Sequence, residues 1–127
     1  MYASGENYLE TILRLYEENG SVRSVDVARK LRVSRPSVSR AMGLLKQAGY
    51  IEAEEKGAIH LTQKGFDAAD KIYTKHRCLT AFLASIAGVS RSVAEENACR
   101  IEHIIDEEVF AGIIAFMRER SQGETYG

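Results

Sequence analysis

Apolar residues near the start of the chain fall at Tyr8, Ile12, Leu15 and Tyr16, with Leu9 and Leu13 alongside. That is a helical period, and it predicts a helix from about Glu6 to Glu18. Asn19-Gly20 is a stop signal. Ser24 is a candidate cap for a second helix, whose apolar positions are Val25, Val27, Ala28 and Leu31. Val33-Ser34 turns the chain, and Ser34 can cap a third helix. Pro36 sits early in that helix, where a missing N–H costs little. The helix runs to about Ala48, burying Val38, Met42, Leu44 and Leu45, and Gly49 ends it.

From Tyr50 to Leu61 the pattern changes. Ile51, Ala53, Ile59 and Leu61 flank Glu54-Glu55-Lys56-Gly57, which reads as a short β-hairpin. Thr62 then caps a long helix from about Gln63 to Ala87, with Phe66, Ala69, Ile72, Leu79, Phe82 and Leu83 inward. Gly88 ends it. Ser90 or Ser92 starts a fifth helix reaching about Ile105, and Asp106 opens a sixth carrying Val109, Ile113, Ile114 and Met117. Residues 121–127 are polar and read as a loose tail. The expected fold is mainly α: a winged helix-turn-helix over 1–62, a helical domain over 63–121, and a flexible tail over 122–127.

Composition narrows the class. The chain has 127 residues, 45% apolar and 28% charged, which is globular rather than disordered composition. The apolar run from Val109 to Met117 is far shorter than the ~20 residues of a membrane span. Met1 to Asn7 has neither a basic start nor an apolar core, so no secretory signal is expected. Two cysteines, Cys78 and Cys99, make no disulfide framework. A cytoplasmic protein with reduced thiols follows.

The net charge is only −1, but it is unevenly spread. Between Gly20 and Tyr50 stand seven basic residues and one acid, a local balance of +6. From Cys78 onward four basic residues face eight acids, a balance of −4. A basic segment over a helix-turn-helix pattern points to a polyanion. The second helix of such a motif lies in the major groove. Here it begins Ser34-Arg35-Pro36-Ser37-Val38-Ser39-Arg40. The small residues Ser34, Pro36, Ser37 and Ser39 allow close approach, and Arg35 and Arg40 can reach phosphates or a guanine edge. Lys56 on the wing is a further backbone or minor-groove contact. The blander reading is that Ser34 only caps and the arginines are solvated.

A second constellation lies later in the chain. Cys99, Glu102 and His103 stand at i, i+3 and i+4, which share one face of a helix. Asn7 and Glu10 are i, i+3 on the first helix, and His76 is on the long one. Thiolate, carboxylate and imidazole together suit a transition metal. Singly, each residue has an ordinary explanation: a core thiol, a satisfied histidine, or Glu102 paired with Arg100.

The residues Asn7-Tyr8-Leu9-Glu10, Ser34 to Ser39, Lys75-His76-Arg77 and Ala98 to His103, in that order, resemble the diphtheria toxin repressor family. These are metal-dependent bacterial transcription repressors. The resemblance runs from about Glu6 to Met117. It implies a winged helix, a helical dimerisation domain, and a divalent metal that drives operator binding. It also implies ligand positions. His76, Glu102 and His103 match positions shared across the family. Cys99 matches the iron-responsive branch and Glu10 the manganese-responsive one, while Asn7 matches neither. Thr80 and Glu95 replace the Glu and His of the iron branch's ancillary site. The chain stops before the SH3-like domain of longer members. The expected cofactor is Fe²⁺ or Mn²⁺, with the thiolate leaning to Fe²⁺, and Zn²⁺ is expected to bind in vitro. The expected partners are a palindromic operator and a second copy of the chain, joined through Val109, Ile113, Ile114, Phe116 and Met117.

Three rivals make different predictions. A winged helix sensing an organic ligand or redox state through Cys78 and Cys99 would ignore metal. An enzyme with Cys99 as nucleophile and His103 as base would need an oxyanion hole, and none is legible, so no enzyme is expected. A metal buffer would take up ions without binding DNA.

Overall fold

The computed structural model describes residues 3–126, with side chains from residue 5 to residue 121. Its elements are α1 (Ala3–Asn19), α2 (Ser24–Leu31), α3 (Arg35–Gln47), β1 (Ile51–Ala53), β2 (Ile59–Leu61), α4 (Gln63–Ala87), α5 (Arg91–Ile101) and α6 (Glu107–Tyr126). The fold is mainly α, with a winged helix-turn-helix followed by helices. The chain divides into two compact units, Met1–Tyr73 and Thr74–Gly127, and the division falls inside α4.

In the first unit, Leu9, Ile12 and Leu13 of α1 form a core with Val27 and Ala28 of α2, Val38, Met42 and Leu45 of α3, and Ile51 and Ile59 of the wing. Ala69 of α4 joins them, with Tyr73 packed alongside. The first turns of α4 therefore belong with the winged helix. Ser34 caps α3 by accepting the Ser37 N–H at 3.2 Å. The α2 cap is Arg23 rather than Ser24, which is already the first helical residue. The Asp26 carboxylate accepts the Arg23 N–H at 2.9 Å, so an acid three residues on satisfies this end of the helix. At the turn into α3, Arg32 is left-handed and the Val33 N–H bonds back to the Ala28 carbonyl at 3.1 Å.

The wing is a two-stranded antiparallel hairpin in the register Ile51↔Leu61, Glu52↔His60, Ala53↔Ile59. Its turn needs a residue at positive φ, and Gly57 supplies it at 92°. The α1–α2 loop pairs with its edge: Arg23 bridges Ala58, and the Ile59 N–H donates to the Val22 carbonyl at 2.8 Å.

Two residues expected inside point outward. Leu44 is 49% exposed and Phe66 43%. Val38, Met42 and Leu45 share one stripe of α3, and Leu44 sits ~100° from Leu45 around the helix. Phe66 is turned by the same ~100° from the buried Gly65–Ala69–Ile72 stripe of α4.

The second unit holds the rest of α4, α5 and α6. Ser90 caps α5 by accepting the Val93 N–H at 3.2 Å. The helix ends at Ile101, short of the expected Ile105, and a tight turn carries the chain to Asp106. The Ile104 and Ile105 N–H groups both bond back to the Ile101 carbonyl. Two β-branched residues, Ile104 and Ile105, stand just before Asp106 and disfavour further helix here. The helix α6 continues to Tyr126, over most of the segment expected as a tail; Gly127, and the side chains of 122–127, lie outside the described residues. Arg118-Glu119-Arg120 before that segment are good helix formers.

Among the described residues of this unit, the buried apolar side chains are only Leu79, Ala94 and Ala98. Ile86, Val89, Val93, Ile104, Val109 and Phe116 are exposed. Phe82 and Phe116 meet edge to face with centroids 6.2 Å apart. Lys75 is buried and reaches Glu107 at 3.2 Å, which joins α4 to the start of α6.

Candidate functional site

Two surfaces carry the chemistry, one in each unit. In the first unit, α3 buries Val38, Met42 and Leu45, which leaves Arg35, Pro36, Ser37, Ser39 and Arg40 on its solvent face. Ser34, at the cap, is exposed too, and its hydroxyl donates to the Ser37 hydroxyl at 2.8 Å. The Ser34 side chain therefore caps α3, and both serines face solvent. A groove lined by Arg23, Ser24, Val25, Arg35, Val38, Ser39 and Gly57 separates the helices from the wing. Lys56 is exposed at the wing tip.

Arg23 is the residue the sequence alone does not single out. Its guanidinium donates to the Lys56 carbonyl, its backbone pairs with Ala58, and its N–H bonds Asp26. One residue thus ties the wing tip to the start of α2. An added Cβ on Gly57 would lie 3.1 Å from the Arg23 guanidinium, so the turn also leaves room for that side chain. The link spans 33 positions, beyond any local pattern.

In the second unit, His76 of α4 and Glu102 at the end of α5 are both buried, and His76 Nδ1 lies 2.8 Å from Glu102 Oε2. A buried carboxylate is costly unless it is paired, and this contact pairs it. The Thr80 hydroxyl, one turn on, donates to the His76 carbonyl at 2.8 Å. Cys99 is half-buried, and its Sγ, a His76 ring nitrogen and a Glu102 oxygen all lie within 4.8 Å of one another. His103 lies just past α5, with Nε2 3.3 Å from Glu102 Oε1. The i, i+3, i+4 spacing predicts one continuous helix for these three residues. Only Cys99 is inside α5; Glu102 caps it and His103 is in the following turn.

The side chains of His76, Cys99 and Glu102 fit a divalent transition ion. Atoms bound ~2.0–2.3 Å from a shared ion stand about 3–4.5 Å apart, so donors within 4.8 Å need little movement. An imidazole, a thiol and a carboxylate are a set of borderline, soft and hard donors, and His103 adds a second imidazole beside Glu102. In the first unit, Glu10 is buried on α1 and Asn7, one turn earlier, is half-buried. The Asn7 carbonyl accepts the Thr11 hydroxyl at 2.8 Å. At the expected ancillary position, Glu95 pairs with Arg91 at 3.5 Å and the Thr80 hydroxyl is engaged by His76.

Comparison with known proteins bears on both surfaces. Residues 1–59 match the family model described as the iron dependent repressor N-terminal DNA binding domain. Residues 62–123 match that of the iron dependent repressor metal binding and dimerisation domain. An uncharacterized HTH-type transcriptional regulator of Methanocaldococcus jannaschii is 32% identical over 120 residues, covering 94% of this chain and 96% of that protein. Among solved structures, IdeR of T. acidophilum has a TM-score of 0.81 at 30% identity, over 88% of this chain and 53% of its own. A manganese-dependent transcriptional repressor in complex with manganese has a TM-score of 0.81 at 27% identity, over 87% of this chain and 51% of its own. This chain spans about half the length of those two proteins.

Proposed function

The chain belongs to the iron-dependent repressor family, and from that premise we propose that it is a metal-dependent transcriptional repressor controlling metal homeostasis in the cytoplasm. It binds a palindromic operator as a homodimer when Fe²⁺ or Mn²⁺ is bound. The observation that carries the reading is the buried His76–Glu102 pair with Cys99 and His103 around it, in a chain that also holds a winged helix.

His76, Cys99, Glu102 and His103 are the ligands proposed from the second unit. Glu10 is proposed from α1 as a carboxylate ligand, with Asn7 beside it as an amide ligand. When bound, the ion would supply positive charge to its carboxylate and thiolate ligands. The thiolate favours Fe²⁺, the carboxylates and amide favour Mn²⁺, and Zn²⁺ is expected to bind tightly in vitro. The manganese complex of the structural relative supports an ion of this class.

Metal binding is proposed to fix the DNA-binding heads for the operator. The closed arrangement must hold its ion better than the open one for any switch to occur. A ~100-fold preference supplies about 2.7 kcal/mol of coupling. Arg35 and Arg40 contact phosphates or guanine, the hydroxyls of Ser34, Ser37 and Ser39 and the ring of Pro36 approach the backbone, and Lys56 contacts it from the wing.

The proposed homodimer is supported by the thin apolar core of the second unit. Among the described residues of that unit the buried apolar side chains are only Leu79, Ala94 and Ala98, so Val109, Ile113, Ile114, Phe116 and Met117 need a cover, and a second copy supplies one. Two heads also give the operator specificity that one small head lacks. Among the described residues, no helix is long and apolar enough to cross a membrane. The test is selection of an operator from random DNA with Mn²⁺ present. Recovery of a palindrome, bound by the protein and released by chelator, is the expected outcome. A palindrome bound equally well by the Glu102→Gln variant would overturn the ligand assignment.

A further inference from the structure

The α1 helix holds an arrangement that the metal reading does not use. Arg14 lies one turn after Glu10, with Nη1 3.5 Å from Glu10 Oε2. Its guanidinium carbon is 5.2 Å from the centroid of the Tyr73 ring. The Glu10 side chain is 2% exposed and that of Arg14 30%, so this ion pair is partly screened from water. All three residues belong to the first unit. A buried carboxylate needs a counter-charge. Arg14 supplies it, and the face of Tyr73 holds the guanidinium where it is needed.

We infer that Arg14 is a positioning residue that competes with the divalent cation for Glu10, and so lowers the metal affinity of the site. The inference rests on Glu10 being a ligand, as proposed above. A carboxylate already facing a guanidinium gains less from a second cation. The guanidinium also repels the doubly charged ion, and such repulsion is strong in a partly buried site. Tyr73 opposes the swing of Arg14 into solvent that would relieve it. The pair is thus a threshold device. It stabilises Glu10 in the metal-free protein and raises the ion concentration at which the repressor responds.

The sign distinguishes this role from simple orientation of a ligand. If Arg14 only aimed the carboxylate, its loss would weaken metal binding. If it competes, its loss tightens binding. The experiment uses the full chain and Mn²⁺ alone, with affinity read by competition against a fluorescent chelator. The variants are Arg14→Met, Arg14→Gln, Arg14→Lys, Glu10→Gln and the Glu10→Gln/Arg14→Met double. Arg14→Met is expected to tighten Mn²⁺ binding about tenfold. Arg14→Lys keeps the charge and should stay near wild type. Against Glu10→Gln, Arg14→Met should tighten binding less than it does in the native protein, because only the direct repulsion of the ion is left to relieve.

A readout without metal accompanies it. The chelator-treated Arg14→Met protein should melt below wild type, because Glu10 has lost the nearby Arg14 charge. Should Arg14→Met fail to fold, Arg14→Gln carries the same prediction with a polar side chain of similar reach. Unchanged or weaker Mn²⁺ binding in the neutral variants, with Glu10→Gln clearly weakened, overturns the competition and leaves the ligand assignment standing. Native Mn²⁺ affinity in Glu10→Gln removes Glu10 from the site, and this inference with it.

Discussion

Replacing Gly65 by alanine should damage the protein, although alanine is the better helix former by ~1 kcal/mol. Gly65 is in the first turn of α4, where an added Cβ would lie 1.9 Å from the Tyr50 carbonyl oxygen and 2.9 Å from its carbon. Leu61 Cδ2 would be 3.2 Å away on the other side. The helix and the start of the wing must separate by more than ~1 Å to reach ordinary contact. Several bonds oppose that movement. The Tyr50 carbonyl accepts the Thr62 N–H at 3.1 Å, the Thr62 hydroxyl donates to the Gly49 carbonyl at 2.6 Å, and Lys64 Nζ donates to the Ala48 carbonyl at 2.8 Å.

Overpacking of this kind costs about 1–3 kcal/mol. Two weakened hydrogen bonds add ~1 kcal/mol each. Set against the helical gain, a net loss of roughly 2–4 kcal/mol remains. At ~4–8 °C per kcal/mol for a unit of this size, Tm should fall by roughly 8–32 °C. The assay is thermal unfolding of the metal-free full chain by circular dichroism. An unchanged or raised Tm would show that the contact of α4 with Tyr50 is misplaced, and with it the seat of the wing.

Other predictions concern the surfaces. Arg35→Ala and Arg40→Ala should each weaken operator binding. Where the arginine neutralises a phosphate, its removal should also make the salt slope shallower by ~0.9, read from anisotropy at several salt concentrations. Arg23→Met should free the wing tip from α2 and weaken operator binding without loss of metal affinity, which chelator competition can check. Phe116→Glu should shift the protein toward monomer in sedimentation, since a charge on the proposed dimer face is left without a partner. Cys99→Ser should weaken Zn²⁺ and Fe²⁺ more than Mn²⁺, because it replaces the soft donor with a hard one.

Much of the fold is legible in the sequence because its signals are local. Ser34 and Ser90 cap as their positions predict, and Thr62 accepts the Gly65 N–H at 3.1 Å. The hairpin is readable from alternation around Gly57. The differences arise where a local rule meets a competing neighbour. Ser24 is the better cap by residue type, but Asp26 satisfies the Arg23 N–H and moves the cap back one position. Leu44 and Phe66 read as inward for their hydrophobicity, though neither falls on the buried stripe of its helix.

The proposed metal donors are legible in part. His76 sits 26 positions from Glu102, and no helical period joins them; only the packing of α4 against α5 does. The resemblance to known repressors identifies His76 where spacing does not. Arg14 is visible as an i, i+4 partner of Glu10, but that pattern is common on helix surfaces. Its meaning depends on burial of Glu10 and on Tyr73, which the sequence does not reveal.

Metal and operator should each tighten the binding of the other by one common factor, because coupling between two sites is reciprocal. The direct test measures all four edges of that cycle under anaerobic conditions. Operator affinity is read with and without Mn²⁺ or Fe²⁺, and ion affinity with and without operator. Equal factors of roughly 100 on both sides are the predicted result. Operator binding that is tight and indifferent to every ion would contradict the account, and would leave a winged helix answering to a different signal.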